Sequence, residues 1–161
     1  MTGENASIRK KRSARIAAIQ GLYNQSVTKH NYSPEQMMEQ LLGQWQETNN
    51  KDDIDWEIKD TPDKALLRSL LVGVHEHLDA IQPKLHAVVK ENWSLERMSP
   101  ILQAILQLGV YELMFEPKRN RKIIVDEYTK ITSSFFDNPE LGFIHSALNM
   151  LASELRPDNG E

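Results

Sequence analysis

The chain has 161 residues, 40% apolar and 26% charged, with few glycines or prolines, enough to bury a core and ordinary for a globular protein. It has no cysteine, which excludes a disulfide framework, a thiolate metal site and a cysteine nucleophile. The net charge of −4 hides a segregation: residues 47–63 carry seven acids against Lys51 and Lys59, a local −5, so the remainder sums to about +1.

The N-terminus shows no apolar signal region and no segment is long enough to span a bilayer, which points to a cytoplasmic protein. The first basic cluster is RKKRSAR, holding Arg9, Lys10, Lys11, Arg12 and Arg15. It runs without a break into Ile16, Ile19, Tyr23 and Val27, whose spacing predicts a helix buried on one side. Arg12 lies four residues before Ile16 on the apolar face, so the first turns are expected to project beyond the core. The run reads either as a solvated terminus or as a surface for an anionic partner. Ser33 and Gln36 have capping-box spacing with Pro34 between them, predicting a second helix with Met37, Met38, Leu41, Leu42 and Trp45 as its buried stripe. The acidic stretch 47–63 reads as a solvated loop without metal-ligand spacing. Thr61-Pro62 is expected to open a third helix through Leu67, Leu70, Leu71, Val74, Leu78 and Ile81, with a close crossing at Gly73. Ile81, Leu85, Val88 and Val89 lead into a fourth helix ending near residues 92–94.

The stretch PILQAILQLGVYELMF, residues 100–115, is apolar except for one narrow glutamine face and Glu112, and predicts a central helix capped by Ser99. A second basic cluster follows it in a loop: Lys118, Arg119, Arg121 and Lys122. Ile124, Tyr128, Ile131 and Phe135 mark a sixth helix, and Asn138-Pro139 starts a last one with Leu141, Ile144, Leu148, Leu151 and Leu155. Residues 157–161 read as a disordered tail. His75 and His77 are two apart and point away from each other on a helix, and His75 with Asp79 makes at most a two-ligand pair. There is no phosphate loop or nucleophile elbow, and Asp126 and Glu127 lie on different faces. The residues therefore read as non-catalytic, with no metal and no cofactor.

Several of these stretches resemble, in collinear order, the NusB family of bacterial transcription antitermination factors. Arg12-Ser-Ala-Arg15 and Gln20-Gly-Leu22-Tyr23 resemble the family's Arg-x-Ala-Arg and Gln-Ala-Leu-Tyr. Leu70-Leu-Val-Gly-Val74 resembles its Leu-Leu-x-Gly-Val; Ile105-Leu106 with Tyr111-Glu112-Leu113 fits its central helix; Ile123-Ile-Val-Asp-Glu127 resembles its Val-Val-Ile-Asn-Glu. The resemblance implies an all-α fold of about seven helices in two packed three-helix bundles, one domain over 7–156 with subdomains 7–80 and 81–156. It further implies binding of single-stranded, BoxA-type RNA, in the elongation complex, beside the small-subunit ribosomal protein that acts as NusE. The RNA would meet the start of the first helix and the start of the last, where Phe143-Ile-His145-Ser146-Ala-Leu148 stands for Phe-Val-Asn-Gly-Val-Leu and Phe143 is the candidate stacking aromatic. The chain departs from the family at His145 and Ser146, at Ser133 in place of lysine, and at two positions implied to face the protein partner: Leu102 in place of an acid and Gln107 in place of arginine. The alternatives are a scaffold of the same fold that no longer recognises BoxA, or an accessory RNA-binding module of an rRNA methyltransferase.

Overall fold

A computed structural model describes residues 5–46, 56, 60–89, 94–95 and 97–156, the side chains of 44–46 excepted. Six helices follow in order: α1 (Ala6–Thr28), α2 (Pro34–Gln46), α3 (Lys64–Val88), α4 (Pro100–Phe115), α5 (Arg121–Thr132) and α6 (Asn138–Leu155). There is no strand among the described residues. The chain divides into two compact units, residues 1–75 and 76–161.

The helix starts follow local chemistry. Ser33 and Gln36 form the reciprocal capping box, Gln36 N–H donating to Ser33 Oγ at 3.1 Å and Ser33 N–H to Gln36 Oε1 at 3.0 Å. Ser99 Oγ accepts from Ile101 N–H with Pro100 behind it, and Asn120 Oδ1 accepts from Ile123 N–H. The third helix begins later than Thr61-Pro62 implies, because Asp63 Oδ1 caps it by accepting from Leu66 N–H at 3.0 Å. The expected third and fourth helices follow one another within α3, which holds two helical segments joined by a kink at the non-helical residue His77; Pro83 lies in the second segment, which stops at Val88. Pro83 leaves the helix unbroken yet removes one amide donor. The acidic stretch 47–55, the proposed helix end at 92–93 and the tail 157–161 lie outside the described residues.

In the first unit α1 packs on α2, and every residue from Ser13 to Gly21 is buried. The expectation of burial on one side therefore fails for the middle of α1, while Val27, assigned to its stripe, is exposed. A Cβ on Gly21 would stand 3.1 Å from Leu41 Cδ1 and 3.6 Å from Leu71 Cδ2, so α1 runs close to its neighbours there. In the second unit α4, α5 and α6 pack on one another. Eleven of the sixteen residues of α4 are buried, as its composition predicts. α4 comes close to α6 at Gly109, where a Cβ would meet Leu148 Cδ2 at 2.8 Å. Leu148 is fully buried on α6 and has nowhere to move.

Gly109→Ala should therefore destabilise the protein by roughly 1–3 kcal/mol from overpacking, despite alanine's better helix propensity. Gly43→Ala, on the exposed side of α2 with nothing within 4 Å, should stabilise it by about 0.5–1 kcal/mol. Urea denaturation followed by circular dichroism checks both signs.

Candidate nucleic-acid interface

Asn5 caps α1 by accepting from Ile8 N–H at 2.9 Å, so the basic run is helical from its first residue. Arg9, Lys10 and Lys11 are exposed and Arg12 is half-buried. Asp60 Oδ2 lies 3.4 Å from Arg9 Nε, and Asp63 N–H donates to the Lys10 carbonyl at 3.0 Å. Arg15 is different: it is 5% exposed, enclosed with Ser13, Ala14 and Ile16. Its assignment to the surface is corrected by its place along α1, since one turn past Lys11 on the same face the helix is already enclosed on all sides.

The second cluster divides in the same way. Lys118 and Lys122 are exposed, whereas Arg119 and Arg121 turn toward the protein. Arg119 Nη1 donates to Glu112 Oε1 at 3.2 Å and lies 3.7 Å from Glu116. Arg121 and Lys122 occupy the first turn of α5 rather than a loop, and Arg121 donates to the carbonyls of Ala152, at 3.1 Å, and Arg156. Arg156, which the sequence alone did not single out, donates to the carbonyls of Glu112, Leu113, Glu116 and Arg119. It thereby adds donors at the C-terminal end of α4, to the Leu113 carbonyl and to those of Glu112 and Glu116, which also accept from the Glu116 and Arg119 amides. Burial pushes its guanidinium below the usual arginine range, helped by the charge of Arg121 and opposed by that of Glu112.

Glu112 is the hub of this arrangement. It is fully buried, and Tyr128 Oη donates to its Oε2 at 2.5 Å while Arg119 holds the other oxygen. The sequence signal was its place in Tyr111-Glu112-Leu113, a carboxylate inside an otherwise apolar run. Tyr111 Oη in turn donates to Glu116 Oε2 at 2.7 Å.

On α6, Phe143 is 8% exposed, so most of its ring faces the interior. It lines a cleft of about 340 Å³ with Val88, Pro139, Gly142, Ser146 and Met150. His145, Ser146 and Ser133 are exposed. Leu102 is 1% exposed and belongs to the core. A partner cannot cover a side chain already removed from solvent, so its assignment to the docking surface is withdrawn; Gln107 remains half-exposed. Gly73, where a close crossing was expected, is buried. His77 stacks on Phe115 with ring centroids 3.9 Å apart. Among the described residues no group of three His, Asp or Glu side chains is placed to hold a metal ion, and no helix is long and apolar enough to cross a membrane.

Glu112→Ala should cost roughly 3–5 kcal/mol, because it strands Tyr128 and Arg119 beside a cavity. Tyr128→Phe should cost only about 1–2 kcal/mol, since it removes one donor. Comparable losses for the two variants in urea denaturation would mean that the carboxylate is not the hub.

The family model described as "NusB family" matches residues 12–152. The chain is 28% identical to the transcription antitermination protein NusB of Rickettsia massiliae, over 91% of this chain and 94% of that one. It is 29% identical to the protein of the same name from Caulobacter vibrioides, covering 89% and 92%. Among solved structures, NusB of T. maritima aligns with a TM-score of 0.69 at 24% identity, covering 89% and 91%. A chain from a complex of the antitermination factors NusB and NusE with double-stranded RNA aligns with a TM-score of 0.71 at 18% identity, covering 91% and 98%. The structural likenesses establish the fold.

Proposed function

The chain belongs to the NusB family, and on that premise we propose that it is an RNA-binding transcription antitermination factor. Its ligand is BoxA-type single-stranded RNA in ribosomal RNA transcripts, and its protein partner is the small-subunit ribosomal protein in the NusE role, within the elongation complex. The reading makes it a cytoplasmic, non-catalytic protein whose family domain spans residues 7–156.

The observation that carries the RNA reading is the start of α1. Four cations, Arg9 to Arg12, sit on about one helical turn whose continuation is buried on all sides, so they are held in place rather than frayed. Phosphates need such fixed positive charge, and Lys118 and Lys122 offer more of it on the second unit. Phe143 takes part through the rim of its cleft rather than an open ring face, with His145 and Ser146 as the exposed polar groups beside it. Arg15 is left out of the contact set, and so are Arg119 and Arg121, whose donors serve the protein itself.

If each of the four cations meets one phosphate with no opposing carboxylate, the log–log salt slope from α1 reaches about −2.8 on single-stranded RNA, the limit for this cluster. Lys10→Ala with Lys11→Ala should flatten the measured slope by about 1.4 and leave the circular dichroism unchanged. An unchanged slope removes α1 from the interface. Binding to BoxA-type and shuffled RNA with equal affinity would instead favour the scaffold reading.

For the partner, Gln107 is the remaining candidate on α4. Leu102→Glu should not restore a docking charge; it should bury a carboxylate and destabilise the fold by several kcal/mol. Calorimetric titration with the ribosomal protein and urea denaturation separate the two effects. A folded variant that binds the partner more tightly would return this position to the surface.

A further inference from the structure

Trp56, Asp60 and Asp63, which precede α3, each contact the basic helix. Trp56 is buried with its ring 5.5 Å from that of Tyr23 on α1. Asp60 reaches Arg9, and the Asp63 amide donates to the Lys10 carbonyl. Asp63 also caps α3, so the residue three positions after Asp60 is held from both sides. The carboxylate of Asp60 therefore stands beside the cationic surface because the backbone puts it there. Side-chain exposures of 44% for Arg9 and 34% for Asp60 leave the pair open to an incoming ligand.

We propose that Asp60 is a built-in counter-ion of the RNA surface, which a phosphate must displace to reach Arg9, and that it sets the affinity and salt dependence of RNA binding. The inference rests on the RNA-binding reading above. Its physical basis is competition at one guanidinium. The carboxylate meets Arg9 at Nε, whereas a phosphate can engage the guanidinium fork with two oxygens. After displacement the tethered carboxylate stays well within a Debye length of the bound phosphate and repels it. Wild-type protein thus gains less from Arg9 than an unopposed arginine would give. Because phosphates carry no sequence information, the penalty falls equally on matched and unmatched RNA. Asp60 lowers general polyanion binding, and contacts elsewhere must supply the preference for a sequence.

The test is fluorescence anisotropy with a labelled BoxA-type single-stranded RNA and a shuffled control across a salt series. Asp60→Asn should bind both RNAs roughly two- to five-fold more tightly at low salt, the range of one exposed ion pair, with a slope steeper by about 0.7. Asp60→Glu, which keeps the charge, should stay near wild type. Combined with Arg9→Ala, Asp60→Asn should lose most of its gain. Circular dichroism and thermal melts confirm that each variant is folded; should Asp60→Asn not fold, Asp60→Ser carries the same expectation. Unchanged or weaker binding by Asp60→Asn, while Arg9→Ala still weakens binding, overturns the counter-ion role and leaves the RNA reading standing. No binding of either RNA by wild type overturns both.

Discussion

The second unit is organised around a carboxylate taken out of water. Glu112 is buried on α4, and burying a charge is tolerable only when its oxygens are fully partnered. The partners come from different parts of the chain: Tyr128 from α5 and Arg119 from the turn after α4. Arg156, at the end of α6, completes the joint by donating to carbonyls at the end of α4 and to those of Glu116 and Arg119. Three helix ends are thereby tied at one place, and the turn between α4 and α5 has a defined shape. That turn displays Lys118 because Arg119 beside it is anchored. The polar joint also fixes direction, which apolar packing alone leaves loose; at Gly109 the same helix comes so near α6 that a single methyl has no room.

The first unit solves a related problem on one helix. The middle of α1 is buried on all sides and its beginning is highly charged, so the element changes character within a single turn at Arg12 and Ser13. The buried part gives the charged part its rigidity. A helix start held by its own core presents charge without first losing conformational freedom, which a frayed terminus would have to lose on binding.

Much of this was legible in the sequence because helix starts are local. Ser99-Pro100, the Ser33–Gln36 pair and Asn138-Pro139 place their helices from a few neighbouring residues. The long apolar run of α4 likewise announced burial on most sides. What stayed hidden depends on residues far apart in the chain. The stripe of Ile16, Ile19 and Tyr23 could not reveal that the opposite face of α1 is covered, nor that Arg15 goes inside with it. Asp63, three residues from Leu66, outcompeted the proline as the start of α3, and α3 kinks at His77 rather than at Pro83. Nothing within a helix says which glycine meets another helix; at Gly109 the answer lies in Leu148, thirty-nine positions away. Family correspondence placed Leu102 at a docking surface, and its apolar side chain has taken the interior instead.

The two basic clusters looked alike as sequence and divide alike as structure. Lys10, Lys11, Lys118 and Lys122 are exposed, whereas Arg15 is buried and Arg119, Arg121 and Arg156 bond to carbonyls or carboxylates of their own chain. The chemistry of the side chains accounts for the division. A guanidinium offers five donors in a planar fork and can saturate several backbone acceptors at once, while a strongly hydrated ammonium loses more by leaving water. Counting basic residues therefore overstates the surface available to a polyanion; the exposed members of the two clusters are the four lysines and Arg9. On the RNA reading, such a surface supplies point-charge contacts to phosphates, which fix position and affinity but not sequence. Any sequence preference then has to arise away from the lysines, and the start of α6 is the place that differs in kind. There His145 and Ser146 stand exposed beside a cleft floored by Phe143, offering hydrogen bonds and an apolar wall together.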